Sequence, residues 1–276
     1  MDAPHNQIFF PSSFNELFSA WNRFPDAVPY AGGTDLIWRQ GNNILELPQI
    51  ILCLDKLLDL HHITRTEHYL EIGAMVTLNK IIRLGKVVPE VLSSCLENIA
   101  GVQLRNLATI GGNICSSSRL LDAPAPLIAL DAQYELRSAH RVRWVSAARF
   151  HSTDEYVLED QELLTRIRLP IYRWDYSMFK KFYPEDVFSS KVLIFLAKTQ
   201  KNILSDIRVV YKGNAIFRNK NSEAILAGSY LPLNRKIADD FIKSWDDYLR
   251  DNQDIDDFTK DELVNIIELN IKNLSE

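Results

Sequence analysis

Apolar positions recur along this chain with two periods, and the switches between them divide it into elements. Phe14, Leu17, Phe18 and Trp21 fall at i, i+3, i+4 and i+7 behind the capping-box pair Ser13 and Glu16, which predicts an amphipathic helix. Apolar runs at 27–30 and 49–54 predict strands, with a helical stretch at 36–38 between them, together about the size of one βαβ motif. Residues 69–73 read as a strand, and Thr77 is placed to cap a helix running through Ile82. The segment 89–100 carries proline in its first turn and Gly101 just past its end, the asymmetry of a helix. After an apolar segment at 125–130, alternation predicts strands at 132–137, 141–145 and 163–169, closed by Pro170. From about Tyr176 the pattern becomes that of a meander, with strands at 192–197 and 207–211, a helical turn at 223–226 before Gly228, and helix over the last forty residues. The acids that crowd 246–262 read as a solvated helix face.

Two glycine pairs stand where strand-like runs give way to turns: Ala31-Gly32-Gly33-Thr34-Asp35 and Thr109-Ile110-Gly111-Gly112-Asn113. They hold four of the chain's 10 glycines. Glycine tolerates positive φ and close backbone approach, so two such loops suggest backbone amides turned toward an anion, a phosphate or diphosphate. Neither loop has the spacing of a nucleotide P-loop or of a Rossmann GxGxxG turn, which argues against ATP hydrolysis and against a Rossmann-type NAD site.

Composition narrows the choice. A formal charge of −5 leaves no footprint for nucleic acid, and no apolar run approaches the roughly 18 residues of a membrane span. The chain of 276 residues exceeds the usual single domain, so two or three subdomains are expected. The first residues lack a secretory pattern, and Cys53, Cys95 and Cys115 are few and far apart, so we read a reduced, cytoplasmic protein without zinc or iron–sulfur ligands of its own. His61 and His62 are adjacent and cannot share an element face, which suits a surface loop, and His5, His68, His140 and His151 lack metal spacing.

The loops and their neighbours, taken in order, resemble the FAD-binding subunit of the molybdenum hydroxylases, that is, the medium chain of carbon monoxide dehydrogenase and the flavin subunit of xanthine dehydrogenase. The likeness runs through Pro29-Tyr-Ala-Gly-Gly-Thr-Asp-Leu36, Leu70-Glu-Ile-Gly-Ala-Met-Val-Thr-Leu78, Arg105-Asn-Leu-Ala-Thr-Ile-Gly-Gly-Asn-Ile-Cys115 and Asp122-Ala-Pro-Ala-Pro-Leu-Ile-Ala-Leu-Asp-Ala132, and covers roughly the first 170 residues. It implies an α+β chain: an FAD-binding fold of two α/β subdomains, 1–56 and 57–173, of the vanillyl-alcohol-oxidase type, followed at 174–276 by a C-terminal antiparallel sheet with helices.

The resemblance further implies that Ala31, Gly32, Gly33, Thr34, Asp35 and Leu36, with Thr109, Ile110, Gly111, Gly112 and Asn113, wrap the FAD diphosphate with main-chain amides. Asp122 matches a position that binds flavin-side hydroxyls, or alternatively caps a turn before Pro124. Leu163 and Lys180 match positions lining the isoalloxazine, or else are an ordinary core leucine and a surface lysine. No catalytic acid, base or nucleophile and no metal ligand is expected. FAD would take electrons from a [2Fe–2S] subunit in a complex with a molybdopterin-binding large subunit and pass them to NAD or another acceptor. The chain departs from the family at Phe182-Tyr-Pro-Glu-Asp-Val187, where acids replace basic residues beside the flavin and would disfavour NAD. A non-catalytic flavin-binding scaffold and a free-standing flavin oxidoreductase are the alternatives.

Overall fold

The structure, a computed structural model, describes residues 6–41, 43–116, 120–152, 157–182 and 190–275. The chain divides into two compact units: residues 1–88 with 96–171, and residues 89–95 with 172–276.

The first unit begins with β1 (Gln7–Phe9), α1 (Phe14–Arg23), β2 (Val28–Tyr30), α2 (Thr34–Gln40) and β3 (Ile50–Cys53). The three strands form a parallel sheet in the order β1-β3-β2. Ser13 caps α1 by accepting a hydrogen bond from the Glu16 amide, as expected. The reciprocal half of the box is shifted by one residue, since the Glu16 carboxylate accepts from the amide and hydroxyl of Ser12. The apolar stripe of α1, Leu17, Phe18 and Trp21, packs with Leu52, Leu54, Leu57, Leu60, Met75 and Leu163 in one buried cluster.

Next come β4 (Ile63–Arg65), β5 (Tyr69–Gly73), α3 (Leu78–Ile82), α4 (Glu90–Glu97), α5 (Val102–Arg105), α6 (Ile110–Ile114), α7 (Pro124–Ala129), β6 (Gln133–Arg137), β7 (Val142–Ser146), α8 (Ala147–Phe150) and β8 (Leu163–Pro170). Five of these strands make an antiparallel sheet ordered β4-β5-β8-β6-β7. Alternation buries Leu70, Ile72, Tyr134, Leu136, Ile167 and Leu169 on one side. Helix α7 is apolar all round and wholly buried, as a helix without a polar face must be.

The second unit holds an antiparallel sheet ordered β12-β11-β10-β9, built from β9 (Tyr176–Phe182), β10 (Lys191–Gln200), β11 (Ile203–Lys212) and β12 (Ile216–Phe217). Helices α9 (Lys220–Leu226), α10 (Arg235–Arg250) and α11 (Asp257–Ser275) complete it. Leu193, Phe195, Val209 and Tyr211 from the sheet share one core with Phe241, Trp245 and Leu249 of α10 and Leu263, Ile267 and Ile271 of α11. The expected C-terminal antiparallel sheet with helices is present. The terminal helix is two helices, however, broken before Asp256, whose carboxylate accepts from the Thr259 amide at 2.9 Å and starts α11. Apart from Phe182, the acidic departure at 182–187, including Glu185 and Asp186, lies outside the described residues.

Candidate functional site

The first glycine loop joins β2 to α2. Gly33, at φ 68°, is the N-cap residue of α2 and brings no side chain to satisfy its first amides. Its carbonyl accepts from Ile37 at 3.1 Å, but the amides of Gly32, Gly33, Thr34 and Leu36 donate to no group among the described residues. A Cβ on Gly33 would lie 2.0 Å from the Tyr30 hydroxyl, and one on Gly32 only 1.9 Å from the carbonyl oxygen of Leu107. Gly32 is therefore where the two loops meet, backbone against backbone.

The second loop differs from the sequence expectation. An isolated bridge pairs Thr77 with Thr109, flanked by hydrogen bonds from Leu78 N to Ala108 O at 2.9 Å and from Ile110 N to Val76 O at 3.0 Å. Gly111 N donates to Ala74 O at 2.9 Å, Asn113 N to Thr109 O at 3.0 Å, and Gly112 N to the Thr109 hydroxyl at 3.1 Å. The amides of 110–113 thus donate to groups within the protein. Gly111 answers a different need: a Cβ there would come within 2.8 Å of Ala74. Of the four glycines in the two loops, only Gly33 has positive φ.

A cavity of about 780 Å³ lies in the first unit, within the range of small-molecule and cofactor sites. Ala31, Gly32, Gly33, Thr34, Asp35 and Leu36 line it, and so do Thr109, Gly111, Gly112 and Asn113. Leu163 does so as well, at the start of β8, where it also belongs to the core under α1. Ile110 and Asp122 are buried but are not lining residues. Asp122 stands just before α7, next to the hydrogen bond that Ala123 N donates to the Asn113 side chain at 3.2 Å. Lys180 belongs to the second unit, exposed on β9, where it lines a separate groove with residues of α11.

Two groups at the cavity escaped the sequence reading, the first being Arg39 and Ser116, the side-chain partners of the expected site residue Asp35. Asp35 accepts from Arg39 through both Nε, at 2.8 Å, and Nη2, and also from the Ser116 hydroxyl at 3.1 Å, so it ties α2 to the exit of the second loop. The i, i+4 spacing of Asp35 and Arg39 was a visible signal; the role of Ser116 was not. The other group is the turn before β8, where Leu158, Glu159, Asp160, Gln161 and Glu162 line the cavity. Glu162 is buried and takes a bidentate pair from Arg143, Nε to Oε1 at 2.7 Å and Nη2 to Oε2 at 2.6 Å, as well as the Glu159 amide at 3.1 Å. Burial works to raise the Glu162 carboxyl, but the Arg143 and Glu159 hydrogen bonds outweigh it and hold it below its ordinary value. Gln161 completes the turn in the left-handed region at φ 55°.

The chain is 29% identical over 169 residues to the nicotinate dehydrogenase FAD-subunit of Eubacterium barkeri, covering 58% of this chain and 57% of that one. It is 33% identical over 150 residues to the xanthine dehydrogenase FAD-binding subunit of Escherichia coli O157:H7, covering 53% and 51%. The chain thus spans about half the length of these relatives. The fold is that of the carbon monoxide dehydrogenase structure from Hydrogenophaga pseudoflava, with a TM-score of 0.80 at 22% identity over 100% of this chain and 98% of that one. Quinoline 2-oxidoreductase from Pseudomonas putida 86 gives 0.78 at 22% identity, over 100% and 98%. Residues 4–172, well over half of the chain and the whole of the cavity's lining, match the FAD binding domain in molybdopterin dehydrogenase, and it is to this family that the protein belongs.

Proposed function

We propose that the cavity of the first unit is where FAD binds, and that the chain acts as the flavin subunit of a molybdenum hydroxylase complex. One observation carries the reading: four amides, those of Gly32, Gly33, Thr34 and Leu36, project at the start of a helix, with no acceptor among the described residues, in a cavity of cofactor size. A diphosphate suits such donors, since amides at a helix start carry partial positive charge. The glycine cradle fits as well, because no side chain at 32 or 33 could stand there without striking Leu107 or Tyr30.

The residues then divide the work. Ala31 to Leu36 bind the diphosphate, while Thr109, Ile110, Gly111, Gly112 and Asn113 act as a mould that holds the first loop in place. The Thr109 oxygen accepts from Gly112, which leaves its own O–H to donate to the ligand. Leu163 shields the flavin from water, and Asp122 and Lys180 are kept as a hydroxyl partner and a ring-lining residue by the family pattern. When bound, FAD supplies one-electron exchange with an iron–sulfur donor and two-electron exchange with NAD or another acceptor. The [2Fe–2S] clusters and the molybdopterin site would reside on separate cytoplasmic chains. The division into subdomains 1–56, 57–173 and 174–276 is part of the same reading, each having one of the three sheets.

The test is chemical. Acid extraction of the purified protein, alone or with partner chains, is expected to release FAD. Release of FMN, or no flavin after reconstitution of the flavin-free chain, overturns the proposal.

A further inference from the structure

The charge of the cavity rests on few groups. Among the described residues that line it, Arg39 is the only lysine or arginine, facing the carboxylates of Asp26, Asp35, Glu159, Asp160 and Glu162. Arg143 compensates Glu162 with two hydrogen bonds and lies 3.5 Å from Glu159, but among the described residues nothing comparable is seen for Asp26 or Asp160. A diphosphate entering this space brings further negative charge, so the aim of the one lining cation matters.

Arg39 starts a full turn beyond Asp35 on α2, and long side chains on helices lean toward the N-terminus. Here the lean is fixed. Nε and Nη2 both donate to one Asp35 oxygen, which also accepts from Ser116 Oγ. The guanidinium is thereby held beside the first turn of α2. Its third nitrogen, Nη1, donates to no group among the described residues, and the side chain, 38% exposed, is open to a ligand.

We propose that Arg39 is a binding residue for the diphosphate of the cofactor, and that Asp35 is the positioning residue that aims it. The proposal rests on the reading of this cavity as the FAD site. A purely structural i, i+4 ion pair would leave ligand affinity untouched, which makes the two roles separable.

The experiment titrates flavin-free protein with FAD, followed by flavin fluorescence at low and high salt, with circular dichroism to verify the fold. Arg39→Gln is expected to weaken FAD binding about tenfold, with Arg39→Lys recovering part of the loss, and to flatten the salt dependence. The double variant Arg39→Gln with Asp35→Asn is expected to stay weak. Riboflavin, which lacks the diphosphate, should bind wild type and Arg39→Gln alike. If the double variant regains wild-type affinity, Arg39 serves only to neutralise Asp35 and the proposal fails. Equal FAD affinity in wild type and Arg39→Gln, or an equal loss for riboflavin, also overturns it while leaving the FAD site standing. Failure of the wild-type chain to bind FAD overturns both.

Discussion

Replacing Gly32 by alanine should damage the fold before it damages ligand binding. The added Cβ would sit 1.9 Å from the Leu107 oxygen and 2.8 Å from its carbon. The closest ordinary C···O approach is about 3.3 Å, so one backbone must retreat by roughly 1.4 Å. Leu107 cannot retreat alone, because the next carbonyl, Ala108, accepts from Leu78 N and Ile110 N donates to Val76 O. Overpacking costs about 1–3 kcal/mol and each strained hydrogen bond about 1 kcal/mol, which gives a loss of about 3 kcal/mol. For a unit of this size that is a fall of roughly 6–12 °C in Tm. Gly112→Ala is the matched control: its Cβ would meet only the Thr109 hydroxyl, at 3.0 Å, and alanine favours the helix, so a change within about 1 kcal/mol is expected. Thermal unfolding of the flavin-free chain, followed by circular dichroism, reads both. Equal melting of Gly32→Ala and wild type, or an equal fall for Gly112→Ala, would refute the argument.

Glu162→Gln should cost about 3 kcal/mol, because it leaves the Arg143 guanidinium, 16% exposed, without its carboxylate; urea denaturation at pH 7 measures this. Since the Glu162 carboxyl is held below 4.5, its contribution is complete above that pH and is lost as pH falls through the lower native value, so the variant should lose less stability than wild type on acidification. His151 behaves with the same sign for a different reason. Burial against Tyr134 and Phe150 lowers it to about 4, so the unfolded chain takes up a proton first and stability falls as pH drops from 6.5 toward 4. An NMR titration of its imidazole near 6.5 would contradict this.

Much of the fold could be read from periodicity. The α1 stripe, the α3 cap at Thr77 and the strands at 69–73, 163–169 and 192–197 carry strong local patterns, and each is an element of the structure. The three-residue strands β1 and β4 have no period to detect, and β9 is half-buried with charge along it, so tertiary pairing makes these strands. At the site, glycine marked both loops but could not say why each glycine is there. Gly33 needs positive φ, Gly32 and Gly111 need proximity to another backbone, and Gly112 needs neither. Whether an amide is free or engaged depends on Val76 and Ala74, more than thirty residues upstream of the second loop, and no local pattern reports that. The Arg143–Glu162 pair joins strand β7 to the turn before β8 in the same way.

The order β1-β3-β2 has a consequence for synthesis. Strands β1 and β2 leave the ribosome before β3 and do not pair with each other; both pair only with a strand that ends at Cys53. The stripe of α1 waits longer still, since its partners include Met75 and finally Leu163. A nascent chain would therefore carry Leu17, Phe18 and Trp21 incompletely covered until the segment holding Leu163 had been translated, the interval in which a chaperone would have most reason to bind it.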